Sequence, residues 1–140
     1  MNNKGQGPIV NFIALAVLLL IIIFLIFALS QNVGYSIRIN ESEIPKGIDI
    51  YLSYTIENSL LFEDINNVQF NYSISNEYGL NQIQDSVPIG PMGARTERSD
   101  NILLETSDLS RGEYTIWTNI HYWRGGKLEA KYLSLKLIIY

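Results

Sequence analysis

Few side chains in this 140-residue sequence could do chemistry. His121 is the only histidine and there is no cysteine. A metal site built on paired histidines, a cysteine-ligated zinc site, a thiol nucleophile and a disulfide are therefore all excluded. His121 lies between Asn119 and Trp123 on the polar face of a predicted strand. We expect it to be an exposed strand residue.

The remaining polar residues do not form a recognisable catalytic motif. No Gly-x-Ser-x-Gly elbow and no phosphate-binding glycine loop occurs. The acidic clusters Glu63-Asp64 and 97–100 lack the ligand spacing of an EF-hand and are expected to be solvated loops. We therefore expect no catalytic residue, no metal site, no cofactor and no enzymatic activity. A small hydrolase remains an alternative if carboxylates converge on His121 in a concave pocket.

Large aromatic residues on the polar side of strands are better functional candidates. Trp117 and Trp123 fall in the same alternating set as Asn119 and His121, opposite the apolar residues of that strand. Tyr51 has the same relation to an earlier strand. Because exposed aromatic residues on a sheet face are typical of partner surfaces, we predict an interaction surface that includes these three residues. The alternative is that a loop such as residues 90–100 covers them.

Two Asn-x-Ser sequons, at Asn40 and Asn71, are candidate N-glycosylation sites. Two matches are close to the number expected by chance in this composition. The sites could be used only if the domain lies outside the cell.

The elements that must position these residues follow from alternating hydrophobicity. Residues 48–57, 67–74 and 113–122 alternate apolar and polar positions, which is typical of strands with one buried face. Apolar positions 133–139 predict a fourth strand. Its earlier half, with Leu128 and Ala130, is in the opposite phase, which predicts a bulge near Lys131 or Tyr132.

Weaker patterns predict further strands at 33–40, 82–89 and 101–106. Turn signals separate the strands, and Gly125-Gly126 suits a two-residue hairpin loop. About seven short strands and no sustained helical period predict an all-β domain, an immunoglobulin-like antiparallel β-sandwich.

The segment before the strongest predicted strand resembles the tyrosine corner of immunoglobulin-like and fibronectin-type sandwiches. Leu109, Gly112 and Tyr114 match its Leu-x-x-Gly-x-Tyr pattern. The resemblance implies that the Tyr114 hydroxyl bonds to the upstream backbone. The alternative is that Tyr114 is simply another core aromatic residue.

Residues 44–139 also resemble CARDB adhesion modules and LEA/WHy domains, which are common on archaeal cell surfaces. The shared features are a Pro-x-Gly opening, an Asn after the first long strand, a Pro-Ile-Gly-Pro turn and a late Gly-x-Tyr. They occur at Pro45, Asn58, Pro88 and Gly112. The WHy pattern has Asn-Pro where this chain has Asn58-Ser59. The resemblance implies a sandwich fold and a binding or scaffolding role.

A long apolar segment precedes this domain. Phe12 to Leu29 is an unbroken apolar run without charge. We predict a short tail at 1–8, a transmembrane helix at 9–30 that binds the lipid bilayer, and an extracytoplasmic domain at 31–140. One alternative is a cleaved signal peptide, with Ala28-Leu29-Ser30 as the cleavage site, although its apolar core would be unusually long. Another is processing at Lys4-Gly5-Gln6, which resembles the site in archaeal pilin-like precursors.

Charge gives weaker guidance. The formal net charge is −4, which argues against a nucleic-acid partner. Basic residues are nearly balanced across the predicted helix, with Lys4 before it and Arg38 and Lys46 soon after it, so the positive-inside rule decides little. We expect the N-terminus inside and the domain outside, since the short tail leaves nothing to fold inside.

Together these features predict a non-catalytic, single-pass membrane protein. Its immunoglobulin-like domain would bind proteins outside the cell membrane, as an accessory subunit of a membrane or cell-surface assembly. The alternative is a pilin-like subunit whose apolar helix packs in a filament core. In that case the mature chain would begin at Gln6.

Overall fold

The structure is a computed structural model that describes the backbone of residues 7–29 and 31–140 and the side chains of residues 11–28 and 31–140. The proposed processing site at residues 4–6, most of the predicted tail and Ser30 lie outside the described residues. The chain divides into two compact units between Gln31 and Asn32.

The first unit contains a single helix, α1 (Gly7–Leu29), of 23 residues. At about 1.5 Å per residue a helix of this length spans more than the ~30 Å hydrocarbon core of a bilayer. Its described side chains are apolar after Asn11 and exposed on every side; Leu20 is 66% exposed and Ile22 45%. The helix is therefore long and apolar enough to cross a membrane.

The second unit contains eight strands. They are β1 (Val33–Ile39), β2 (Glu43–Ile44), β3 (Ile50–Asn58), β4 (Ile65–Asn76), β5 (Asn81–Met92), β6 (Thr96–Leu104), β7 (Gly112–Arg124) and β8 (Lys127–Ile139). A three-stranded sheet has the order β1-β3-β6, and a five-stranded sheet has the order β2-β8-β7-β4-β5. Every pairing is antiparallel except that of β2 with β8. The predicted sandwich is confirmed; the strand not predicted is the two-residue β2.

The core lies between the two sheets and comes from the apolar phase of each strand. The alternating residues of β3, β4 and β7 are buried as predicted, and Ile56, Phe70 and Ile120 are fully inaccessible. The rings of Tyr54 and Phe70 stack across the sheets at 4.4 Å. This contact contributes about 1 kcal/mol beyond the area it buries.

The β7–β8 hairpin fixes the register of the longest strands. Gly125 and Gly126 both have positive φ, 53° and 77°, as a two-residue loop of this kind requires. The pairing then runs without interruption from Arg124↔Lys127 to Gly112↔Ile139. The bulge predicted near Lys131 or Tyr132 is therefore wrong. Leu128 and Ala130 stay in register and face the outside of the sheet.

Buried Asn58 connects three segments at one end of the sandwich. Its side-chain nitrogen donates to the carbonyl oxygens of Glu63, Met92 and Gly93 at 3.0, 3.2 and 3.0 Å. Its side-chain oxygen accepts from the Leu60 amide at 3.3 Å. The bonds to the Met92 carbonyl oxygen and the Leu60 amide are buried, so they satisfy backbone groups away from solvent.

The segment before β7 has the geometry of a tyrosine corner. The Tyr114 hydroxyl donates to the Ser110 carbonyl oxygen at 2.9 Å. Leu109 is buried, and Gly112 has a φ of 154°, a value that side-chain-bearing residues rarely adopt. The corner anchors the crossing from β6 in one sheet to β7 in the other.

Candidate interaction surface

The outer face of the five-stranded sheet carries both tryptophans of the chain. Trp117 pairs with Ser134 of β8 and Ser73 of β4, and Trp123 pairs with Leu128. Trp117 is 53% exposed and Trp123 43% exposed. Since their neighbours along β7, Ile116 and Tyr122, are buried, the alternation of the strand places both indole rings on the outside. Among the described residues, no loop covers these two rings.

Two further large side chains of β8 extend this surface. Leu128 is 58% exposed and Tyr132 68% exposed. Tyr132 pairs with Asn119, between the two tryptophans in register. We call Trp117, Trp123, Leu128 and Tyr132 the aromatic strip. The sequence reasoning missed Leu128 and Tyr132, because it interpreted the phase shift of β8 as a bulge rather than as an apolar outer face.

Beside the aromatic strip, β4, β5 and β7 form an open groove of about 720 Å³ on the same face. We call it the amide groove. Neutral polar side chains and two ionisable ones line it: Gln69, Asn71, Gln84, Asp85, Ser86, Asn119 and His121. No lysine or arginine contributes to this lining. The groove can therefore donate and accept hydrogen bonds while carrying little charge.

Hydrogen bonds between strands hold the floor of the amide groove in place. The Asn71 side-chain nitrogen donates to the Asn119 side-chain oxygen at 2.8 Å. The Gln69 side-chain nitrogen donates diagonally to the hydroxyl of Ser86, the residue of β5 that pairs with Asn71. Each bond joins β4 to a neighbouring strand, so the amide orientations are set before any ligand arrives.

His121 shares the amide groove with Asp85 and Ser86, which is the residue set that a hydrolase would need. Within the described residues, however, no hydrogen bond connects His121 to either of them. The Ser86 hydroxyl instead accepts from Gln69, and the Asp85 carboxylate accepts from the Ser86 amide at 2.7 Å. A base in contact with its nucleophile is the first geometric requirement of such chemistry, and this contact is lacking. The absence of enzymatic activity stays a prediction.

The structure does not bring Tyr51 together with the tryptophans. Tyr51 is 52% exposed on β3, in the three-stranded sheet, and pairs there with Leu103. Its side chain therefore lies on the outer face of the three-stranded sheet, on the other side of the sandwich from the tryptophans. The three residues do not form one surface, because outward positions on the two sheets point in opposite directions.

The two sequons have different surroundings. Asn40 is exposed just after β1, and its side-chain oxygen accepts from the Tyr51 amide at 2.9 Å. Asn71 is half-buried in the middle of β4, and its side-chain nitrogen is bonded to Asn119. Modification requires an accessible side-chain nitrogen, so the geometry favours Asn40. Modification of either residue stays a prediction.

Several tyrosines of the sandwich have perturbed acidity. Burial raises the pKa of Tyr35 from 10.0 to about 12. Burial also raises the pKa of Tyr122, whose hydroxyl donates to a Glu129 carboxylate oxygen at 2.9 Å. At the edge of the amide groove, burial and then the charge of Asp85 raise the pKa of Tyr72. All these phenols are therefore neutral in the folded domain at ordinary pH.

Solved structures show where else this fold occurs. The C-terminal domain of wzt superposes with a TM-score of 0.58 at 15% identity, over 76% of this chain and 71% of that one. The Pseudomonas fluorescens alkylpurine DNA glycosylase AlkC, bound to DNA containing an abasic site analog, gives 0.52 at 15% identity. That match covers 79% of this chain but 31% of the glycosylase. No protein-family model and no curated protein sequence matches this chain.

A third structure bears directly on the predicted resemblance. It is the CARDB domain of the PF1109 protein of Pyrococcus furiosus, solved in complex with di-metal ions. It superposes with a TM-score of 0.53 at 9% identity, over 78% of this chain and 94% of that domain. Within the part of this chain that the structure describes, no three His, Asp or Glu side chains gather as a metal site. The likeness is one of fold: residues 32–140 form a CARDB-like β-sandwich.

Proposed function

We propose that this protein is a single-pass membrane protein with its N-terminus inside the cell and its β-sandwich outside. The proposed role is non-catalytic: the sandwich binds a protein partner as an accessory subunit of a membrane or cell-surface assembly. The apolar helix and the CARDB-like fold support a membrane-anchored interaction domain. The orientation rests on the weaker sequence argument given above.

The observation that carries the proposal is the aromatic strip. Its four large side chains are between 43% and 68% exposed on one side of a sheet whose other side is the core. Several exposed large apolar side chains on one sheet face are typical of interfaces. Tryptophan and tyrosine are also the residues that most often dominate binding energy.

The binding part of the proposal is tested in native membranes with paired variants. The full chain is extracted in mild detergent, separated on native gels, and co-migrating proteins are identified by mass spectrometry. We expect a stoichiometric complex that Leu128→Ser with Tyr132→Ser abolishes. The control is Tyr51→Ser with Leu103→Ser, which removes similar exposed side chains from the opposite face and should leave the complex intact. Migration of the unmodified protein alone would contradict the role of obligate subunit.

The orientation is tested separately. Because the chain contains no cysteine, a single Ser42→Cys change on the exposed segment after β1 introduces one reactive thiol. A membrane-impermeant maleimide should label it in intact cells and should not label Asn3→Cys. The reverse result would place the sandwich inside the cell. N-terminal sequencing of the same sample distinguishes the pilin-like alternative, which requires a mature chain beginning at Gln6.

A further inference from the structure

The amide groove has a chemistry that the proposed protein interface does not use. It lies on the same face as the aromatic strip, but side chains of β4 and β5 supply most of its lining. Leu128 and Tyr132 are not part of that lining. Its volume, about 720 Å³, falls within the ~300–1,000 Å³ typical of small-molecule sites. A ligand could therefore occupy the groove without contacting Leu128 or Tyr132.

The lining restricts the chemical class of that ligand. Without a lysine or arginine, the groove lacks the groups that recognise phosphate, sulfate or carboxylate. Its floor is also too polar for a lipid chain or an apolar peptide side chain, because the amides of Gln69 and Asn119 would be covered without partners. Neutral amides and a hydroxyl match a ligand that both donates and accepts many hydrogen bonds.

The internal bonds leave part of each amide available to such a ligand. Pairing the Asn71 nitrogen with the Asn119 oxygen uses one half of each side chain. Within the described residues, the Asn71 oxygen and the Asn119 nitrogen then have no further side-chain partner. The Gln69 oxygen is left in the same way by its bond to Ser86. The groove floor therefore presents two acceptors and one donor that are already oriented, which lowers the entropy cost of binding.

Two tryptophans outside the groove lining flank its β7 residues along the strand. Along β7 the order is Trp117, Asn119, His121 and Trp123, with all four residues on the outer face. Six residues of extended strand place the tryptophans about 20 Å apart. A pyranose ring has hydroxyl groups around its rim and an apolar C–H face that packs on an indole. A chain of several sugars could therefore contact both rings and the amides between them.

We propose that the amide groove is a binding site for a neutral oligosaccharide. Asn71, Asn119, Gln69 and Ser86 hydrogen-bond its hydroxyl groups, and Trp117 and Trp123 pack against sugar rings at the two ends. This site goes beyond the proposed protein interface, with which it shares Trp117 and Trp123 but not Leu128 or Tyr132. The proposal is one of binding alone and involves no covalent step.

Titration calorimetry of the full chain in nanodiscs tests this site. The probes are maltohexaose, cellohexaose, mannohexaose and chitohexaose, with a heparin hexasaccharide as the anionic comparison. We expect at least one neutral hexasaccharide to bind with a Kd below about 1 mM, which is the weak end of specific recognition. The heparin probe should not bind. Absence of binding by all four neutral probes, or preference for heparin, would overturn the proposal.

Variants locate the binding and separate it from the protein interface. Asn119→Ala should weaken the neutral probe about tenfold, the cost of roughly one lost hydrogen bond that leaves its partner unpaired. Ser86→Ala, at an exposed position of edge strand β5, gives a second test in case Asn119→Ala impairs folding. Leu128→Ser with Tyr132→Ser should leave saccharide binding unchanged. If both the Asn119 and the Ser86 variants bind the sugar as tightly as the unmodified protein does, the sugar binds elsewhere and the assignment is refuted.

Discussion

The outer faces of the two sheets differ in how their exposed side chains are used. On the three-stranded sheet, polar side chains bond to one another. The Ser53 hydroxyl donates to the Asn101 side-chain oxygen at 2.6 Å, and the hydroxyl groups of Thr55 and Ser99 lie 2.8 Å apart. Its exposed apolar side chains are confined to the Tyr51–Leu103 pair at one end. Much of the hydrogen-bonding capacity of these side chains is therefore used within the sheet.

The five-stranded sheet has the opposite arrangement. It exposes four large apolar side chains in the aromatic strip and, in the amide groove, side chains with hydrogen-bonding capacity left over. Both sheets bury the same kind of apolar residue against the common core, so folding alone does not explain the difference. A face that is covered in the assembled state would explain it. We therefore propose that the five-stranded sheet carries the partner-binding side of the sandwich, and we call its outer face the working face.

The largest expected effect concerns the support that both faces share. Asn58→Ala removes the donor to three carbonyl oxygens and should destabilise the sandwich by about 3 kcal/mol, because the buried Met92 carbonyl oxygen and Leu60 amide lose their side-chain partner. Chemical denaturation of the full chain in detergent measures this loss. The variant for comparison is Trp117→Ser, at an exposed position on the working face. It should change the free energy of unfolding by under ~1 kcal/mol. Equal losses would mean that the strip is structural.

The next effect separates the two faces by binding. Trp117→Ser should weaken the protein complex about 30-fold, which corresponds to ~2 kcal/mol for a central aromatic residue. Tyr51→Ser, the matched exposed aromatic residue of the other sheet, should change the affinity by less than about threefold, as most peripheral residues do. Quantitative native-gel titration checks both. Similar losses of affinity in the two variants would contradict the assignment of partner binding to the five-stranded sheet.

A smaller effect concerns the crossing between the sheets. Tyr114→Phe deletes the hydroxyl that donates to Ser110 and should cost about 1 kcal/mol of folding free energy. Thermal unfolding, followed by circular dichroism, measures this cost. Partner binding should be unchanged when it is measured below the transition. A stable variant with lost binding would show that the corner shapes the working face.

Alkaline pH should weaken the sandwich through its buried phenols. The pKa of Tyr35 is raised from 10.0 to about 12, so the unfolded chain loses the phenolic proton first. Stability from this group is fully present below pH 10 and is lost as the pH rises through 12. Tyr35→Phe should flatten the decline between pH 10 and 12 in a denaturation series. At neutral pH the Tyr35→Phe substitution should change folding stability little, since the buried hydroxyl has no hydrogen-bond partner within the described residues. An unchanged slope would contradict this account.

The smallest effect is expected on the polar face. Thr55→Val removes one of two hydroxyl groups that lie at the surface of the three-stranded sheet. It should alter stability by less than about 0.5 kcal/mol, because water replaces the lost partner. Partner affinity should not change. A marked loss of affinity would mean that this face also takes part in binding.

The sequence predicted most of the fold because alternation is a local signal. The phases of β3, β4 and β7 are clear, and the positive φ at Gly125 and Gly126 follows from residue type. The two-residue β2 was beyond prediction, since its pairing with β8 is long-range and carries no pattern of its own. The prediction of a bulge in β8 failed for a physical reason. Apolar residues on an outer face shift the apparent phase just as an inserted residue would.

The candidate site was predictable only in part. The alternation of β7 correctly placed both tryptophans outside. The alternation of β3 likewise placed Tyr51 outside, but strand phase does not say which sheet a strand joins. The amide groove combines residues from β4, β5 and β7, so Gln69, Ser86 and Asn119 meet only after the strands pair. The clearest sequence signal of the exposed apolar face is the set Leu128, Ala130 and Tyr132, which alternates in the phase opposite to the core residues of β8.

The central claim is that the five-stranded face meets the partner. A photo-cross-linking amino acid placed at Leu128 in one preparation and at Leu103 in another tests it in intact membranes. The two positions are similarly exposed apolar residues on opposite faces, at 58% and 46%. The account predicts one discrete adduct of defined mass from position 128 and none from position 103. An adduct from position 103 alone, equal adducts from both, or none from either would contradict it.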